Sequence, residues 1–331
     1  MAVNLLQYLR SNSQVDFDSQ DVELSQSLGP FVDCTSNQID GYYEATLPRR
    51  AELVKQSAIL AEEFTLEFPG VTYEEVAVEV ALTSIALTLA PHITGSIFVM
   101  ANPVFAYSTE KVYENAKRIY AITRKLQPSF DLARLCIKVP ATWEGLQACR
   151  QLKDINIKTL ATTVFTLEQT ILAAEAGCIY VSPFGHELRA LLDEKYTDDG
   201  PYLNVPLEAQ KYYQTYSYST RVKAAGLNSV EEVLRLSGVE AITIPADVLK
   251  TLATTEADEE SLKKKSIFNT TEYQTLHLEK VSFIDDEDKY RKAFGERDNG
   301  KGQERTTQAI EIFSEYELKA EEVMKNVRSG Q

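Results

Sequence analysis

Arg134, Cys136 and Lys138 alternate with Leu135, Ile137 and Val139, and the run stops at Pro140. Period-two alternation is the mark of a strand with one apolar face, and proline, which brings no N–H to a sheet ladder, ends it two residues after the lysine. The chain restarts at Thr142 as a helix N-cap, with Glu144 near the positive end of the helix and Leu146, Ala148, Cys149 and Leu152 along its buried side. A lysine at the C-terminal end of a strand, just before a strand-to-helix turn, lies where parallel α/β barrels place their chemistry. The strand alone leaves two fates open for Lys138. Its ammonium can snorkel past the strand end to solvent, or it can be enclosed, where desolvation lowers its pKa and makes a nucleophilic neutral amine accessible.

The rest of the chain repeats this grammar. Strand-like stretches at 14–18, 31–37, 96–101, 158–164, 178–182, 220–225 and 240–245 accompany helical patterns at 49–64, 73–89, 109–125 and 208–218. In the 49–64 helix, Leu53, Ala58, Ile59, Leu60 and Phe64 hold the apolar positions; Thr72 opens the next helix and Pro91 closes it. The segments 254–265 and 285–303 are polar and charged and read as surface excursions. A last helix at about 307–327 carries Ile310, Ile312, Phe313, Leu318, Val323, Met324 and Val327 as an apolar stripe, which suits docking onto the body of the protein or pairing of two copies. With no repeat or linker, residues 1–331 read as a single domain.

The 331 residues suffice for one α/β barrel with additional helices. A net charge of −15 argues against a nucleic-acid or anionic-membrane partner. No apolar run approaches the roughly 20 residues of a membrane span, and Met1 to Leu6 show no basic region followed by an apolar core, so a cytoplasmic location is expected. Cys34, Cys136, Cys149 and Cys178 read as reduced core residues, and His92, His186 and His277 have no metal spacing, so no metal is expected.

The run Ile137-Lys138-Val139-Pro140-Ala141-Thr142-Trp143-Glu144-Gly145 resembles the Schiff-base strand of the transaldolases, class I aldolase-type transferases of the pentose phosphate pathway. Val181-Ser182-Pro183-Phe184, preceded by Ala174-Glu175-Ala176-Gly177, resembles the same family's next-but-one strand end, Tyr107-Ser108-Thr109-Glu110 resembles a helix start, and 208–218 resembles a Tyr-rich helix. The likeness covers nearly the whole chain and implies a (β/α)8 TIM barrel with Lys138 as imine-forming nucleophile. It further implies Asp18 as proton-transferring group, Asn37 as hydrogen-bond partner of a substrate hydroxyl, Thr162 as the threonine that shares the catalytic water, and Ser182 and Phe184 as substrate-binding support. On spacing alone Asp16 and Asp18 share a strand face and read equally as solvated strand ends, and Asn37 reads equally as a polar loop residue.

Departures from the family are as specific as the matches. The family's catalytic glutamate, which holds a proton-shuttling water, falls on Met100, with Asn102 the nearest polar substitute; its asparagine near Thr162 falls on Leu160; the proline after its substrate-binding asparagine is Gln38. Methionine carries no proton. The phosphate-binding arginine three residues beyond the phenylalanine is Glu187, with Arg189 two residues off register, and the family's Ser-Phe-Arg after the seventh strand is Gly226-Leu227-Asn228. His186 is a further proton-transfer candidate. The expectation is therefore a cofactor-free enzyme that makes, breaks or transfers C–C bonds of a small carbonyl compound other than a standard sugar phosphate, with specialised biosynthesis as its expected setting. The alternatives are a true transaldolase, its phosphate held by Arg189, Arg221 or Lys223, and a non-catalytic barrel.

Overall fold

The computed structural model describes residues 1–330. Eight parallel strands, paired in chain order, close into a barrel: β1 (Gln14–Asp18), β2 (Cys34–Thr35), β3 (Ile97–Met100), β4 (Leu135–Pro140), β5 (Lys158–Val164), β6 (Tyr180–Pro183), β7 (Arg221–Ala224) and β8 (Ala241–Pro245). Helices run back between the strands, giving the (β/α)8 TIM barrel.

The alternation in β4 sorts its side chains. Leu135, Ile137 and Val139 join Val99, Ala161, Val181, Val222 and Ile242 in the apolar layer between strands and helices. Cys136 turns inward, where it packs with Phe98, Leu160, Tyr180 and Ala241 in one layer of the barrel interior. Lys138, two residues on, also turns inward, above that layer, and is only 4% exposed. The enclosed fate is the one realised. Thr142 caps the following helix Trp143–Asp154 by accepting the Gly145 N–H at 2.9 Å, and a Cβ at Gly145 would lie 2.4 Å from the Pro140 carbonyl oxygen, so the turn requires glycine.

In β5 the register shifts between Ala161 and Val164, with Thr163 left-handed at φ 58°. This bulge falls just after Thr162, whose side chain is fully buried, and the strand resumes pairing at Val164.

Several sequence expectations need correction. Residues Glu256–Asp258 pair antiparallel with Ala2–Asn4 in a small second sheet, so part of 254–265 is ordered pairing between distant parts of the chain. Within 285–303, helix Glu287–Glu296 fully buries Tyr290 against Trp143 and Phe283. Ile59, given an apolar position, is 52% exposed, and Val54 and Ala61 are buried instead. The last helix is longer than 307–327, spanning Lys301–Ser329; it buries Ala309, Ile310, Phe313, Ala320 and Met324, while Leu318 is 56% exposed. Among the described residues, no helix is long and apolar enough to cross a membrane.

Candidate active site

The terminal helix crosses the mouth formed by the C-terminal strand ends. Thr306 donates to the Thr163 carbonyl at 3.1 Å and accepts from Gln169, which also donates to the Ala141 carbonyl. Gln38 donates to Glu317 at 3.0 Å and to the Met100 carbonyl at 3.4 Å. The glutamine that stands in place of the family's proline thus ties the helix to the mouth. Between these anchors Ala309 and Phe313 pack with Ile39, Met100, Phe165, Phe184, Leu188 and Ala225 in an apolar cap.

Beneath the cap lie Lys138 and its neighbours. The amine has no ion pair within 4 Å among the described residues. Burial holds its pKa below that of a free lysine, outweighing the attraction of the two nearby carboxylates, Asp18 and Asp40. Asp18 accepts a 2.6 Å hydrogen bond from the Thr35 hydroxyl, which is itself 2.5 Å from that of Thr243. The Thr162 hydroxyl is buried without a hydrogen-bond partner, and Ser182 and Phe184 are buried at the end of β6 and just beyond it.

Asn37 sits beside this group as a helix cap. Its Oδ1 accepts from the Ile39 and Asp40 amides and its Nδ2 donates to Asp40 Oδ2 at 2.6 Å. Asp40 was missed in the sequence, although Asn37-Gln38-Ile39-Asp40 carries the signal: a capping asparagine places an acid three residues later on the first helical turn, over the strand ends. Burial, with the repulsion of Asp18, pushes the Asp40 carboxyl up to about 8.

The remaining sequence candidates are placed differently. Met100 lies beside Lys138 in the register and packs in the cap. Asn102 is buried past the end of β3, with its Oδ1 accepting from Val104 N and its own N–H donating to Asn115. Asn228 and Arg189 are exposed at the rim; the Arg189 guanidinium lies 4.7 Å from the centre of the Tyr196 ring. His186 is held between Asp198 at 3.0 Å and Glu232 at 3.3 Å, which raise its pKa to about 9. Glu187 accepts from Tyr196 at 2.6 Å and Gln308 at 2.9 Å, with Arg305 of the terminal helix 3.6 Å away. A groove of about 520 Å³ opens beside it, lined by Glu187, Asp198, Asp199, Lys301, Arg305 and Gln308, and does not reach Lys138.

A buried lysine without an ion pair, close to two carboxylates at the C-terminal end of a closed parallel barrel, is the arrangement that imine chemistry would need. Such equipment defines the class I aldolase type. The chain belongs to the transaldolase/fructose-6-phosphate aldolase family, a family of class I aldolase-type transferases, whose model matches residues 25–324. It is 28% identical to a transaldolase of Methylococcus capsulatus over 297 residues, covering 86% of this chain and 87% of that one. A transaldolase of Trichormus variabilis is 27% identical over 294 residues, covering 85% of each chain. One from Synechocystis sp. is 26% identical over 264 residues, covering 78% of this chain and 67% of that protein.

Proposed function

We propose that the chain is a divergent imine-forming enzyme that makes, breaks or transfers a C–C bond of a carbonyl compound other than a standard sugar phosphate. The observation that carries this reading is the state of the phosphate end. Where the family resemblance calls for an arginine, Glu187 presents a carboxylate braced by Tyr196 and Gln308, and a carboxylate repels a phosphate dianion. The nearby cations are engaged elsewhere: Lys301 and Arg305, beside Glu187, both pair with Asp199. Arg221 donates to Gln14, Tyr180 and the Glu240 carbonyl, and Lys223 is fully buried between Asp16 and Asp33. Arg189 is turned onto Tyr196. Charge-assisted hydrogen bonds contribute on the order of 1.5–3 kcal/mol each, so a phosphorylated substrate lacking two of them would lose several powers of ten in transition-state binding.

In the reaction so read, the neutral Lys138 amine attacks the carbonyl carbon, water leaves, and an iminium remains as electron sink. Asp18 takes the proton of the substrate hydroxyl whose carbon–carbon bond then breaks, and returns it in the reverse direction. The Thr162 hydroxyl is free to hydrogen-bond at the reacting carbon, and Met100 and Phe184 give that carbon an apolar wall.

A second reading, a non-catalytic barrel, is favoured by one feature: Lys138 is almost fully enclosed beneath Phe313 and its neighbours. Borohydride trapping decides among the readings. Dihydroxyacetone is expected to leave a reduced adduct on Lys138 that Lys138→Ala abolishes. Fructose 6-phosphate trapped as efficiently would contradict the altered substrate, and no adduct from any carbonyl compound would favour the non-catalytic barrel.

A further inference from the structure

The position that carries a proton-shuttling glutamate in the family is methionine here, and no carboxylate of β3 replaces it. Proton transfer is nonetheless needed twice at the lysine: to expel water from the first adduct, and to hydrolyse the imine. Besides Glu187, beyond β6, three carboxylates approach the barrel mouth from neighbouring elements. Asp18 comes from β1, Asp40 from the first turn of helix Gln38–Thr46, and Glu317 from the terminal helix. Glu317 is turned away to Gln38, so only Asp18 and Asp40 exert their charge on Lys138.

We propose that Asp40 is the acid and base that carries the protons of imine formation and hydrolysis, leaving Asp18 to serve the carbon–carbon step. The proposal rests on the imine reading above. Its geometry is specific. The Asn37 amide grips Asp40 at both its backbone N–H and its Oδ2, fixing one carboxyl oxygen and leaving Oδ1 free. The same helix cannot drift outward, because Gly41 packs against Leu82 with no room for a Cβ and Gln38 is tied to Met100 and Glu317.

The groups facing Asp40 are few. Asp18 and Lys138 face it from the barrel, with the buried Cys34 thiol beside them. Glu44, on its own helix, is paired with Arg49 and Arg50. The terminal helix contributes Tyr316, bonded to Tyr43, and Glu317. Among these, burial and Asp18 keep Asp40 protonated at neutral pH, as a donor must be.

The step balances without further reagents. Lys138 adds to the carbonyl to give a carbinolamine. The Asp40 carboxylic acid protonates its hydroxyl, the C–O bond breaks as the nitrogen lone pair forms C=N, and water departs, leaving Asp40 as carboxylate. In hydrolysis that carboxylate takes a proton from the attacking water.

The test is the rate at which imine accumulates with dihydroxyacetone, quenched with borohydride and read by intact mass across pH 6–10, with circular dichroism confirming that each variant is folded. The wild-type rate is expected to fall as pH rises through about 8, where Asp40 loses its proton. Asp40→Asn should be slower by about 10²–10⁴-fold and lack that alkaline fall, and Asp40→Glu should recover both. An Asn variant with wild-type rate and profile overturns the assignment. So does a Glu variant no faster than the Asn variant, since shape and not the proton would then matter. No adduct in the wild type overturns the imine reading itself, and with it any role for Asp40; an adduct formed equally in all three overturns the Asp40 role alone.

Discussion

The barrel encloses two lysines, each with two aspartates, and the two groups behave oppositely. In the lower layer Lys223 makes ion pairs with Asp16 and, at 2.8 Å, with Asp33, and it lies close to the faces of Tyr180 and Phe98. Contact attraction there overcomes burial and raises the lysine pKa, while burial lifts Asp16 to about 6. One layer up, Asp18 and Asp40 influence Lys138 without touching it, so burial prevails and the lysine pKa falls. Equal numbers of charges yield a locked ammonium in one place and an amine primed to lose its proton in the other; direct contact makes the difference.

Breaking each group should therefore give different results. Lys223→Met strands two buried carboxylates and is expected to destabilise the fold by about 3–5 kcal/mol in urea or guanidinium titration. Lys138→Met removes a buried amine that has no contact partner and should change stability by less than about 1 kcal/mol. If the two substitutions cost the same, the contrast between the layers fails.

The cap is the next target. Phe313→Ala opens a void over Met100 and Phe184 and should cost about 3 kcal/mol. It should also speed the trapping of Lys138, because access to the amine then requires less displacement of the terminal helix. Slower trapping in a folded variant would mean that Phe313 shapes the bound substrate.

A smaller effect is expected at Glu317, whose burial pushes its carboxyl up to about 8. Above about pH 4.5 the unfolded chain releases a proton that the fold retains, so stability falls with rising pH until about 8 and the deficit then stays constant. Glu317→Gln carries no such penalty. It should melt higher than the wild type at pH 9, with the difference shrinking toward pH 5. The smallest effect belongs to His186, raised to about 9 by Glu232 and Asp198. Its stabilisation is complete below about 6.5 and is lost as pH rises through about 9. His186→Gln should thus lower the melting temperature at pH 6 and match the wild type at pH 10.

The sequence made the barrel legible where side-chain period was strict. β4 alternates without interruption, and β1, β5 and β8 fall within a residue of expectation, because a wrong register would turn every apolar residue of these strands the wrong way. The second sheet was not legible. Ala2–Asn4 and Glu256–Asp258 are too short and polar to show a period, and their pairing spans more than 250 residues. Strand alternation singled out Lys138 and likeness to a family named Asp18 and Thr162 as candidates, whereas Asp40 belongs to no pattern carried over from it. Its position follows from helix capping, and its environment from barrel closure. Lys223 illustrates the opposite limit, since nothing local distinguishes a lysine locked by two aspartates from one lying free of them.

The most direct test compares the two lysines in one experiment. The protein is incubated with dihydroxyacetone, reduced with borohydride, digested and mapped by mass spectrometry. The expected result is a single reduced adduct on the peptide bearing Lys138 and none on that bearing Lys223. An adduct on Lys223, or none on Lys138, would contradict the assignment of the upper layer as the reacting one.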